Sequence, residues 1–243
     1  MTKIFRKIRQ KLVEKGNLKN YLKYAIGEIL LVMVGILLAL QVNNWNLNRI
    51  DNNKEVKALT DLDKEFRLNA EKINAKQNAR IAIIPLFDEY VDLIATGNAD
   101  FKSFEKVHNS AFLFGMTNPS YGVIDALVSS GDISLISNDS LKYLLADWKN
   151  QLDNLYENEQ ILWDFGLEFA RVSSNTIPDL RENWSDWDIK RYNKAFDHLS
   201  TNINYRNHLI GFEGANKVVI DECKSIQESL NNVLTLLDKE INK

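Results

Sequence analysis

The chain has 243 residues, with 33 Asp and Glu against 30 Lys and Arg, ten Gly, three Pro and one Cys. A lone cysteine, Cys223, excludes a disulfide framework and a cysteine-based zinc site. So few Gly and Pro favour long helices and argue against a succession of β-hairpins.

The charge is unevenly placed. Residues 1–24 carry Lys3, Arg6, Lys7, Arg9, Lys11, Lys15, Lys19 and Lys23 against Glu14 alone, a net of +7, and the remainder sums to −10. Within residues 1–20, Ile4, Phe5, Ile8 and Leu12 recur at helical spacing among these cations. That pattern predicts a short basic amphipathic helix suited to an anionic cytoplasmic leaflet, or a plain orientation signal. Gly16-Asn17 separates it from the long apolar run.

Residues 21–45 are predicted to span a bilayer. The run Tyr24–Val42 reaches about 28 Å as a helix, against about 30 Å of hydrocarbon. Tyr21 and Tyr24 flank one edge and Trp45 the other, where amphipathic rings prefer the headgroup level. The positive-inside rule puts the N-terminus in the cytoplasm and residues 46–243 outside. A cleaved signal peptide fits less well. The basic region is too long, Glu28 interrupts the approach to the apolar part, and Leu38-Ala39-Leu40 is a poor cleavage site.

Glu28 is unusual inside such a segment, because a carboxylate at depth is costly and normally faces protein. Stepping about 100° per residue puts Gly35, Ala39, Val42 and Asn46 on the side of Glu28, with Leu30, Met33, Leu37 and Leu38 largely away. Gly35-x-x-x-Ala39 permits close backbone approach. The stripe reads as a helix–helix seam with a second copy or another membrane protein; the alternative is a Glu28 that snorkels or pairs with a local Lys.

The outer 46–243 region is expected to be one helical domain. Val56, Leu59, Leu62, Phe66, Ala70 and Ile73 form one apolar stripe on a helix continuing from the span over about 44–80. Pro85 predicts a break or kink within the apolar patch 81–94, and Gly97 ends that piece. Phe101 to Phe114 is a further short helix. Asn118-Pro119-Ser120 is a turn with Ser120 as a candidate N-cap, and Tyr121 to Ser130 is a helix stopped by Gly131. Ser137-Asn138-Asp139 starts a long helix with the stripe Leu141, Leu145, Trp148, Leu152, Leu155, Leu162 and Phe169. Residues 175–200 read as irregular. The last helix, Ile203 to Ile241, carries Leu209, Phe212, Val219, Ile226, Leu230, Val233 and Leu237, and Cys223 lies on that stripe. Three helices of matched reach bury their stripes best side by side. The fold predicted is therefore all-α, one N-terminal transmembrane helix continuing into an elongated antiparallel extracytoplasmic bundle, with pieces from 81–130 as a fourth wall.

Two segments resemble a domain-of-unknown-function family of bacterial single-pass membrane proteins. Residues 27–46, GEILLVMVGILLALQVNNWN, are similar to its GEI…GI…ALQ-N-W-N anchor. Ala126–Gly131 with Leu135–Leu141 is similar to its SSG…LI-N-LR segment, although Lys142 stands where Arg is more usual and Asp132-Ile133-Ser134 is a variant spacer. Together they cover about a seventh of the chain. The resemblance implies a bacterial inner-membrane protein with a periplasmic outer domain, and no particular activity.

Chemical signatures are sparse. His108, His198 and His208 form no metal-ligand spacing, and no glycine-rich phosphate loop is present. Trp184, Asp186, Trp187 and Asp188, with Asp179 and Glu182 nearby, read as a connector or a partner-binding tip, and their spacing does not match an EF-hand. The expectation is a non-enzymatic membrane-anchored scaffold or sensor-like protein. It would need no cofactor or metal and would bind the lipid bilayer and a second copy or another membrane protein, not nucleic acid. A channel or transporter subunit is the first alternative and a tethered envelope enzyme the second.

Overall fold

The computed structural model describes residues 18–110, 115–176 and 196–242. All regular structure among them is helical. The helices are α1 (Leu18–Ala95), α2 (Phe101–Ser110), α3 (Gly122–Ser130), α4 (Asp139–Thr176) and α5 (Ile203–Ile241), with a 3-10 turn at Asp132–Leu135. Residues 196–200 are also helical, and α4 continues through Thr176, so the expectation of irregular structure over 175–200 fails at both of its described ends, and residues 177–195 lie outside the described residues. The chain divides after Glu55 into two compact units, both of which contain part of α1.

In the first unit the described residues are all α1. Its apolar side chains are left exposed among the described residues: Ile29 is 67 % exposed and Leu31 68 %. Within α1, one stretch is long and apolar enough to cross a membrane.

The second unit is an antiparallel bundle. Its core joins Leu59, Leu62, Phe66 and Ile73 of α1 to the α4 and α5 stripes read from the sequence. Polar ties fix the register. Arg67 of α1 meets Asp238 of α5, Gln77 donates to the Ile220 carbonyl, and Tyr90 meets Tyr205. Position rises along α1 as it falls along α5, so the two run antiparallel. Phe66 stacks near Trp148 and Arg80 meets Glu159, so α1 and α4 run in the same direction. The connection between them returns along α1, with Phe104 beside Tyr205, Thr117 beside Arg80 and Ser120 beside Asn69. This is the expected fourth wall, although only from beyond Gly97.

Residues 81–94 belong to α1, because Pro85 does not end the helix. Proline removes one N–H and frees a carbonyl one turn back, a defect that is costly where it is buried. Here Pro85 and Ile81 are both on the exposed face, where water satisfies the freed carbonyl, while Ile83 and Phe87 remain buried. The end comes where Gly97 takes φ 71°. Val56, at the edge of the unit, is 51 % exposed and not part of the stripe.

The helix starts obey local chemistry. Asn202 caps α5 by accepting from the Asn204 and Tyr205 N–H groups, and Asn138 accepts from the Leu141 N–H at 3.0 Å. Asp100 accepts from the Ser103 N–H at 2.8 Å, which holds its carboxyl below the usual range. Ser120 is not the N-cap of α3; that position is Tyr121. The Ser120 hydroxyl instead donates to Glu65 at 2.5 Å, and the Glu65 carboxylate accepts from the Val123 N–H at 3.1 Å. A side chain of α1 thus takes an N–H in the first turn of α3, beside the local and longer contact of the Gly122 N–H to the Ser120 hydroxyl at 3.3 Å. Between α4 and α5 the crossing is close at two glycines. A Cβ on Gly211 would collide with the Phe165 ring, and one on Gly166 would sit 3.3 Å from Phe212.

Candidate functional site

The stripe read from the sequence lies on one uninterrupted helix. Gly35, Ala39, Val42 and Asn46 are exposed and Glu28 is half-buried. Glu28 and Asn46 are about 27 Å apart along the axis at the helical rise, and the three between them fall within about 40° of Glu28. At Gly35 no heavy atom lies within 4 Å of where a Cβ would stand. Among the described residues no side chain and no other element crowds that position. Arg49 donates to the Asn46 side chain at 3.4 Å, a long and weak contact at the end of the stripe.

The bundle also holds a buried polar centre absent from the candidate residues of the sequence. The Arg80 guanidinium donates to Glu159 at 2.5 Å and to the Thr117 hydroxyl at 3.2 Å. Glu159 also accepts from the Thr117 N–H at 3.0 Å and from its hydroxyl. The Arg80 and Glu159 side chains are 1 % and 3 % exposed. The sequence carries a signal for both. Glu159 stands between Leu155 and Leu162 at 4-3 spacing, and Arg80 succeeds Ile73 and Gln77 at the same spacing. Each is a charge on an apolar stripe, and such a charge needs a buried partner. Asn69, Gln77 and Asn216 are buried polar residues at equivalent positions. Asn69 both accepts from the Ser120 N–H and donates to its carbonyl, at 2.7 and 2.6 Å.

Much of this centre is hydrogen-bonded within itself, while Arg80 Nε and Asn216 Oδ1 are buried without a hydrogen-bond partner among the described residues. The carboxylate of Glu159 is taken up by Arg80 and Thr117, and Gln77 by Ile220 and Gln227. Cys223 is fully buried, as its place on the stripe predicts, and burial pushes its thiol up to about 11. A thiol held neutral in this way is a poor nucleophile. His108 stacks on Phe104 at 5.2 Å and lies 5.8 Å from Phe169, and burial lowers its pKa. His198 is exposed on the 196–200 helix, and His208 is half-buried on α5. Among the described residues no three His, Cys, Asp or Glu side chains converge as a metal site.

Tyr90 and Tyr205 share a hydrogen bond of 3.0 Å, and desolvation raises both phenols above their ordinary value. Trp184, Asp186, Trp187 and Asp188, the candidate tip, lie outside the described residues. Comparison with protein-family models, with curated proteins and with solved structures gave no match.

Proposed function

We propose that this protein is a membrane-anchored helical scaffold or sensor-like module that performs no catalysis and associates with a second copy or another membrane protein through α1. The observation that carries this reading is the bare apolar stretch of α1. Ile26, Ile29, Leu31, Ile36 and Leu38 are each more than half exposed, although these are residue types that chains bury when they can. A soluble core helix of that composition would be covered by its own domain. Lipid is the cover that matches its length and composition. The helix runs unbroken past Leu38-Ala39-Leu40 to Ala95, which supports an anchor and not a removable leader. The basic head supports a cytoplasmic N-terminus, so the bundle faces the other side. Similarity to the anchor family supports the bacterial periplasm as that side and the inner membrane as the one spanned.

Gly35 supports the seam. A glycine costs about 1 kcal/mol relative to alanine in a soluble helix interior, and its use in a span is close approach of another helix. The empty space around its Cβ position leaves that approach to a neighbour outside this chain. A pore built from the same stripe is less well supported, because Glu28 is the only charged residue between Ala25 and Leu40.

The test of placement is a pair of reporter fusions at Lys243. An alkaline phosphatase fusion is expected to be active and a green fluorescent protein fusion dark, with the chain resisting carbonate extraction. A fluorescent, phosphatase-inactive pair would overturn the orientation, and release by carbonate would overturn the anchor.

A further inference from the structure

We propose that residues 119–130 form a flap that opens as a unit while the rest of the bundle stays folded, with Glu65 of α1 as its latch. Two backbone positions frame it. Asn118 has φ 46°, the one non-glycine residue with positive φ among the described residues, and Gly131 has φ 79°. Residues with access to the left-handed region are where a chain reverses direction with least resistance. Outside these positions the chain is firmly held. Thr117 is buried and bound to Glu159 on one side, and Ile136 is 1 % exposed on the other.

Between them the attachment is thin. α3 is an apolar helix, yet Ile124 is its one buried residue. Val123 and Leu127 are partly covered, and Val128 is 58 % exposed. A groove of about 690 Å³ runs between α1 and α3, lined in part by Ala58, Leu68, Val123, Ala126 and Leu127. The helix therefore meets the bundle along one edge, with Ile124 in the core and an open groove beside it. What holds it is polar. Glu65 takes the Ser120 hydroxyl and the Val123 N–H, and Asn69 takes both backbone groups of Ser120. Glu65 is 8 % exposed and Asn69 fully buried, while their partner Ser120 is exposed and all three line the groove, so these hydrogen bonds are part-buried and open to water from that side. Few apolar contacts and a charge-assisted latch describe an element with its own opening equilibrium. Opening bares the seat of Ile124 on the core and gives up the contact of Lys149 of α4 with the Tyr121 ring, while α4 and α5 keep their own shared core, so the bundle has a second state available short of unfolding.

Hydrogen exchange of the full solubilised chain, read by mass spectrometry, tests this. The helical amides of 126–130 are expected to exchange at least about tenfold faster than those in the middle of α4 and α5, the behaviour of a sub-global opening. Glu65→Ala is expected to speed 126–130 by a further factor of about ten or more, by analogy with the loss of a charged hydrogen bond, and to leave α4 and α5 unchanged. Equal protection of 126–130 and the bundle core in the unaltered chain would overturn the flap, and needs no variant. A Glu65→Ala variant that leaves 126–130 unchanged, or accelerates all helices alike, would overturn the latch.

Discussion

Replacing Glu159 is the sharpest perturbation the bundle offers. Its carboxylate is 3 % exposed, neutralises Arg80 at 2.5 Å and accepts the Thr117 N–H. In Glu159→Leu the guanidinium remains at 1 % exposure with no counter-charge, and the Thr117 N–H has no acceptor. Breaking one partner of a buried pair costs about 3–5 kcal/mol. An orphaned buried donor costs about 1–3 kcal/mol. The two overlap, because both relax if water reaches the site, so the expected loss is about 4 kcal/mol. For a unit of this size that is a fall in Tm of about 8–16 °C. The double variant Arg80→Met, Glu159→Leu removes the stranded charge and leaves the Thr117 N–H and hydroxyl without their acceptor, so its loss should be about 1–3 kcal/mol, below that of the single change. Urea denaturation of the solubilised chain, followed by far-ultraviolet circular dichroism, measures these two and the Arg80→Met single variant that completes the cycle. Additive losses, within about 0.5 kcal/mol, would show that Arg80 and Glu159 are not coupled and would refute the reasoning.

The same geometry sets three further outcomes. Pro85→Ala should stabilise the bundle by about 1–3 kcal/mol, since it restores a helix N–H at an exposed site and removes no packed side chain; a loss of stability in the same urea experiment would mean the ring is needed. Cys223, buried with its thiol pushed up to about 11, should react with a disulfide reagent at pH 8 no faster than the bundle opens, so the rate should rise with urea; rapid stoichiometric labelling in native buffer is the contrary result. His108 carries a pKa lowered by burial. As pH falls through about 6.5 the unfolded imidazole takes up a proton before the folded one, so its contribution is full above that pH and is lost below it. His108→Gln should flatten the stability profile between about pH 6.5 and 5, and an unchanged slope there would assign the acid loss to other groups.

The bundle is legible in the sequence because its stripes are long and regular. Every stripe residue on α4 and α5, from Leu141 to Phe169 and from Leu209 to Leu237, is buried. Gly131 sets a helix limit where its backbone freedom predicts, and α5 starts at Ile203 as expected, while its apolar stripe does not reveal the Asn202 cap. Pro85 misleads because a local rule about the backbone says nothing of which face the residue occupies, and water repairs an exposed defect. Ser120 misleads because its hydroxyl is used by Glu65, 55 residues earlier in the chain. Arg80 and Glu159 are easily read as two more charges on charged helices, although each sits in phase with an apolar stripe. The Glu28 stripe emerges from angle alone, and the structure adds the one fact that sequence lacks, the empty space at Gly35.

The central claim, that α1 anchors the chain and meets another helix along Glu28, Gly35, Ala39, Val42 and Asn46, is tested most directly by the protein mass in mild detergent, measured by light scattering with detergent subtracted. The chain is 28.0 kDa. The unaltered protein should scatter as a multiple of that mass. Gly35→Leu, whose Cβ is uncrowded among the described residues, should shift the particle to the single-chain mass without changing the far-ultraviolet spectrum. An unaltered protein at the single-chain mass, or a Gly35→Leu protein with the same oligomer mass, would contradict a self-associating seam.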